Sequence, residues 1–144
     1  MSKKPNIIII MADQLAAQAL SLYGNPVCKT PHLNELANQG IVFENAYSNN
    51  PVCVPSRASI LTGQYSHING VYNLPDALDP DSLNVAKILQ KNGYQTSLIG
   101  KWHLKKEPSG FDYYKVLPGQ GLYNDPYFKT RENWEDGSKG GYEL

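Results

Sequence analysis

Residues 7–11, Ile-Ile-Ile-Ile-Met, form an unbroken apolar run with Pro5 ahead of it and the polar Asp13 and Gln14 behind it. The run is far shorter than the roughly 20 residues a membrane span needs. Continuous branched side chains of this length suit a central parallel strand buried on both faces. Active groups of open α/β sheets gather at the carboxyl ends of such strands, and Asp13 sits at that end.

The pattern that follows fits the same architecture. Thr30 and Pro31 suit the N-cap and first position of a helix whose Leu33, Leu36 and Ala37 share one face and which Gly40 closes. A short strand is expected over 41–47. Pro55 suits the first position of the next helix, which runs through Ala58, Ile60 and Leu61 to Gly63, so Cys53 would lie just before its positive end. A further helix is expected over 82–92, with Val85, Ile88 and Leu89 inward and Gly93 closing it. A strand over 94–99 would then deliver Gly100-Lys101-Trp102-His103 to its carboxyl end. Alternation along that extended segment puts Lys101 and His103 on one side and turns Trp102 into packing. Strand, helix and strand in this order give an α/β fold with a parallel sheet flanked by helices. Residues 105–144 are rich in Gly, Pro and Tyr, have little periodicity and read as a long loop, with no closing element at 140–144.

The 144 residues carry 13 Lys plus Arg against 13 Asp plus Glu. This balance gives no net field to attract nucleic acid or an anionic membrane, and neither is expected as a partner. The first residues lack the length and small-residue cleavage site of a secretory signal. A cytoplasmic location follows if Met1 is the natural start, and a periplasmic one if a leader was removed. Cys28 and Cys53 are too few for a disulfide framework and lack zinc-site spacing. Cys28 reads as a buried or half-buried thiol. His32, within a helix start, and His67, in the loop 64–70, read as hydrogen-bonding residues and not as ligands.

Cys53 is different because of its neighbours, Cys53-Val-Pro-Ser-Arg-Ala-Ser-Ile-Leu-Thr-Gly63. This string resembles C-x-P-S-R-x-x-x-L-T-G, the signature of the type I sulfatases of the alkaline-phosphatase-like superfamily. Three further segments resemble that family in order: Lys4-Pro-Asn-Ile-Ile-Ile-Ile-Met-Ala-Asp13 its first strand, Thr30-Pro-His-Leu-Asn-Glu-Leu-Ala-Asn-Gln-Gly40 its T-P-(N/H)-L helix, and Gly100-Lys-Trp-His-Leu104 its G-K-W-H-L. Family members are several times longer, so the resemblance implies the N-terminal portion of a sulfatase catalytic domain, with 105–144 a substrate-side loop.

The resemblance also implies a chemistry. Cys53 would be oxidised to Cα-formylglycine by a formylglycine-generating enzyme, and the hydrated aldehyde would attack the sulfur of a sulfate ester. Arg57 would stabilise the diol, Lys101 would contact sulfate oxygens, and His103 would contact the diol or the departing oxygen. Such a reaction needs cations about the sulfate and a proton for the leaving oxygen. Asp13 and the modified Cys53 would hold a divalent metal, calcium first, with manganese or magnesium as alternatives. Most sulfatases have two adjacent aspartates where this chain has Ala12-Asp13, a departure shared with choline-sulfatase-like and phosphonate-monoester-hydrolase-like relatives. The implied function is sulfuric ester hydrolysis, and Leu117-Pro-Gly-Gln-Gly-Leu-Tyr-Asn-Asp-Pro126, similar to a loop of carbohydrate sulfatases, points to a sulfated carbohydrate over a sulfated small molecule. Tyr113, Tyr114, Tyr123 and Tyr127 could stack on a sugar or pack the loop. The alternatives are a choline-sulfatase-like or phosphonate or phosphodiester hydrolase on the same scaffold, and a catalytically inactive truncated remnant.

Overall fold

The computed structural model of the chain describes residues 4–135, so the expectation for 140–144 lies outside the described residues. The chain divides into two units, Met1–Ala46 and Tyr47–Leu144.

The second unit carries the sheet. Strands β1 (Ser97–Lys101) and β2 (Tyr113–Leu117) run parallel, in register from Ser97 opposite Tyr113 to Lys101 opposite Leu117. β2 buries Tyr114 and Val116 and exposes Tyr113 and Lys115, the period-two pattern of a strand with one face on the core. Its far edge is met by Lys129, whose N–H and C=O exchange hydrogen bonds of 2.8 and 2.9 Å with Val116. The segment expected to be one long loop therefore holds a strand and a bridge. Five residues were too short a signal against the surrounding Gly and Pro.

Helices α2 (Cys53–Thr62) and α4 (Val85–Lys91) supply Val54, Ala58 and Ala86 to the same core, with the short α3 (Ser66–Asn69) between them in the chain. Trp102 and Phe111 meet edge to face at 6.1 Å within it, an arrangement aromatic pairs prefer. Tyr114, also buried, donates its hydroxyl to the Glu107 carboxylate and lies edge-on to Trp134 at 6.0 Å. Burial and that carboxylate push the Tyr114 phenol well above its ordinary pKa, so it stays a neutral donor.

α4 starts later than expected. Asp79 accepts from Asp81 N–H at 2.9 Å through Oδ1 and from Ser82 N–H at 3.0 Å through its carbonyl, so 79–82 is a turn. Asn84 then caps the helix, its Oδ1 accepting from Lys87 N–H at 3.0 Å. With this phase Ala86 is the buried residue, whereas Val85 and Ile88 are exposed instead of inward. At the other end Gly93, at φ 77°, donates to Gln90 O at 2.8 Å and Tyr94 N–H to Leu89 O at 3.0 Å. These two bonds are the Schellman pattern. They occupy the Tyr94 amide, and β1 begins at Ser97 instead of 94. Between them the Thr96 N–H donates to Asp112 Oδ2 at 2.8 Å, which lowers the Asp112 pKa below its ordinary 3.8.

In the first unit α1 (Pro31–Gln39) follows two 3-10 turns, Ala17–Ala19 and Ser21–Tyr23. Thr30 occupies the N-cap position, but its hydroxyl pairs with Ser21 Oγ at 2.6 Å and not with a helix amide. Gly40 ends the helix in extended backbone, φ −128°, and not in the left-handed form expected of it. Residues 7–11 and 41–47 form no strand here, contrary to expectation, and Ile8 and Ile10 are 81% and 90% exposed. A strand exists through its ladder to a neighbour, and no described residue of this unit supplies one. Cys28 is exposed, not buried, and lies in a turn where Asn25 Oδ1 accepts from both Val27 and Cys28 N–H, at 2.9 and 2.7 Å.

Gly110 locks the segment before β2 against the cap of α4. At φ +86° it holds a conformation L residues avoid, and a Cβ there would lie 2.7 Å from Lys87 N and 3.0 Å from Asn84 Oδ1. Gly110→Ala is expected to destabilise the fold by about 2 kcal/mol or more, from left-handed strain plus that clash. Denaturant unfolding of the whole protein checks it, and an unchanged midpoint would show that the segment yields freely.

Candidate active site

Cys53 is the first residue of α2. Val52 before it is extended, and its carbonyl accepts from Ser56 N–H at 2.9 Å, so the helix begins two residues earlier relative to Pro55 than expected. Pro55 is the third helical residue, where its missing N–H still leaves no intrahelical bond unmade. The helix buries Val54, Pro55, Ala58 and Ser59. Cys53, Ser56 and Arg57, spaced three and four apart, occupy the half-buried side, which puts the thiol and the guanidinium on one face. The thiol is free. It stands at the positive end of the helix, where anionic oxygens are favoured.

Arg57 ties that face to the sheet. Its Nη1 donates to the Lys101 carbonyl at 2.6 Å, across 44 residues of sequence. Lys101 is the last residue of β1, and its Nζ donates to Gln120 Oε1 at 2.7 Å. The candidate residues Cys53, Arg57 and Lys101 are thus joined through one helix face and one charge-assisted bond.

His103 follows two residues later and is 5% exposed. Its φ is +60°, so the segment is not extended there and strand alternation does not set where its ring points. A non-glycine residue held in the left-handed region is uncommon and marks a place where the surroundings fix the backbone. The fixing contacts are visible on either side. Trp102 is buried as expected, with Nε1 donating to Lys106 O at 2.7 Å, and Leu104 O accepts from Lys106 N–H at 2.8 Å and Leu78 N–H at 3.4 Å.

Asp13 belongs to the other unit, followed by Gln14 at φ +53°. Its carboxylate is a hard oxygen donor of the kind calcium takes, but calcium requires 6–8 oxygens. Among the described residues no group of three or more His, Cys, Asp or Glu side chains could hold a metal ion. Asp13 therefore fits as one ligand and does not make a site.

His32 lies at the start of α1 as expected and His67 in α3 instead of a loop; both are exposed, and His67 stacks on Tyr65 with ring centroids 5.7 Å apart. Of the tyrosines, Tyr114 packs the core while Tyr113 and Tyr123 are exposed. Gln120 was not singled out by residue type, since a glutamine alone announces no chemistry. The signal that could have found it is Pro118-Gly-Gln-Gly121, two glycines flanking one polar side chain at a turn.

The sulfatase family model matches residues 5–142. The chain belongs to the sulfatase family. This sulfatase sequence is 47% identical over 139 residues to the N-acetylglucosamine-6-O-sulfatase of Bacteroides thetaiotaomicron, covering 94% of the chain and 24% of that protein. It is 42% identical over 136 residues to the ulvan-active sulfatase of Formosa agariphila, covering 87% of the chain and 27% of the relative. A solved protein in complex with its substrate D-glucosamine-2-N,6-O-disulfate matches with a TM-score of 0.87 at 46% identity, over 90% of this chain and 27% of that one. The chain thus spans about a quarter of the length of these relatives. At that identity and TM-score, the α/β arrangement of a parallel sheet with flanking helices is the sulfatase, alkaline-phosphatase-like fold that the four motifs implied.

Proposed function

We propose that the whole protein of which this sulfatase chain forms part hydrolyses the sulfate ester of a sulfated carbohydrate, with Cys53, converted to formylglycine, as nucleophile. The observation that supports it most is the Arg57 to Lys101 bond, because it connects the helix that opens on Cys53 with the Gly-Lys-Trp-His segment of β1. Relatives named for N-acetylglucosamine 6-O-sulfate and N-acetylgalactosamine 6-O-sulfate make a 6-O-sulfated hexosamine the first substrate to try.

Formylglycine, once made, supplies a hydrated aldehyde, one oxygen of which attacks sulfur while the other later expels sulfate. The chain's own residues do the rest. Arg57, on the Cys53 face of α2, supplies a fixed positive charge one turn from the nucleophile. Lys101 supplies an ammonium for the sulfate oxygens, whose negative charge otherwise repels a nucleophile. His103, held in a buried setting, donates a proton toward the departing oxygen. Asp13 contributes one carboxylate to a divalent metal, calcium before manganese or magnesium.

The decisive test joins mass and turnover. Whole protein co-expressed with a formylglycine-generating enzyme should lose about 18 Da at Cys53, the change from CH2–SH to CHO. It should release sulfate from 6-O-sulfated hexosamines, and Cys53→Ala should abolish this. Modified protein inert toward sulfated sugars and aryl sulfates alike, or a thiol that persists at Cys53, would refute the proposal.

Asp13→Ala should lower bound metal and activity together, because Ala12 offers no second carboxylate. Metal analysis by mass spectrometry decides it, and full occupancy in the variant would make Asp13 structural.

Lys101→Ala and His103→Ala should each reduce kcat by on the order of 10²-fold on a sugar sulfate. On an activated aryl sulfate, whose leaving group needs no proton, the His103→Ala loss should shrink while the Lys101→Ala loss persists. Equal His103→Ala losses on both substrates would remove the proton-donor role.

A further inference from the structure

The carboxyl ends of β1 and β2 lie side by side, Lys101 opposite Leu117. Immediately beyond Leu117 the chain makes a tight turn, Pro118-Gly-Gln-Gly121, closed by Gly121 N–H to Pro118 O at 3.0 Å. Gly119 and Gly121 both have positive φ, 52° and 82°. The second is also closely approached, since a Cβ at Gly121 would lie 3.0 Å from Leu117 Cδ1 and 3.3 Å from its Cβ. The turn therefore folds directly onto the end of β2. Its one long side chain, Gln120, reaches the neighbouring strand end, where Oε1 accepts from Lys101 Nζ at 2.7 Å.

The chemical character of this partner matters. A carboxylate at the same place would form an ion pair and cancel the charge that an anionic substrate needs. An amide oxygen holds the ammonium by a charge-assisted hydrogen bond and leaves its charge intact. Lysine has a flexible four-carbon stem with about 2 kcal/mol of rotamer entropy, so an unheld Lys101 would sample many positions. With Nζ on Gln120 and its carbonyl on Arg57, Lys101 is fixed at both backbone and head.

We propose that Gln120 is a positioning residue that holds the Lys101 ammonium, at full charge, in the place where it receives the oxygens of a sulfate group. The inference rests on the sulfate-directed reading of Lys101 given above.

A double-mutant cycle in the whole, formylglycine-bearing protein tests it. Gln120→Ala should lower kcat/KM on a 6-O-sulfated hexosamine by about tenfold, one hydrogen bond to a charged group. The same change in a Lys101→Ala background should add nothing, because a residue that acts through Lys101 has no effect once Lys101 is gone. Gln120→Glu should be worse than Gln120→Ala although it keeps the reach, since it neutralises the ammonium. Thermal unfolding should stay near wild type in all three. The second readout is inorganic sulfate binding by calorimetry, which needs no turnover and should follow the same cycle. Gln120→Ala at wild-type activity and sulfate affinity, an equal further loss in the Lys101→Ala background, or Gln120→Glu outperforming Gln120→Ala would overturn the proposal. A protein that binds sulfate with the expected cycle yet hydrolyses no sulfate ester would refute the hydrolase reading and uphold the role of Gln120.

Discussion

Five residues of β1 lie in register beside five of β2 and run the same way, so the chain leaving each strand emerges at one edge. The Lys101 to His103 segment leaves β1 there, and the turn bearing Gln120 leaves β2 there. Antiparallel pairing would put the two exits at opposite ends. Parallel pairing requires the chain to travel back between strands, and the returning segment uses that passage to pack Trp102, Leu104 and Phe111 into the core under the sheet. Arg57 then docks α2 on the Lys101 carbonyl. The Cys53 helix, Lys101 and Gln120 thus meet because two short strands point one way.

What could be read from the sequence depended on how local its cause was. The Cys53 helix, its end at Gly63 with φ 68°, and the closing role of Gly93 were legible because a motif or a left-handed glycine acts within a turn of itself. The start of α4 was missed, since the turn that Asp79 closes over 79–82 delays the helix until Asn84 caps it. β2 was missed for the opposite reason. Tyr-Tyr-Lys-Val-Leu is too short to stand out until β1 is known to lie beside it.

The site divides along the same line. Cys53, Arg57, Lys101 and His103 are candidates because they sit in two dense motifs, but motifs do not give their geometry. Alternation along a strand would have put Lys101 and His103 on one side. The left-handed turn at His103 replaces that rule with one set by Leu78, Leu104 and Lys106, contacts that no pattern within the motif contains. Gln120 lies beyond any motif centred on the reactive residues, because hydrogen-bond partners are chosen in space.

Asp13 shows the limit most sharply. Residues 7–10 carry four isoleucines, each able to contribute about 1.5–3 kcal/mol when buried, and in this chain they face water on both sides. The stabilisation that would make them a strand resides in the surfaces that cover them, not in the run itself. A carboxylate at the end of a strand takes its aim from that strand, so with no strand over 7–11 the isoleucine run does not aim Asp13. The Ala12-Asp13 pair offers one carboxylate at this place, where two adjacent aspartates would offer two.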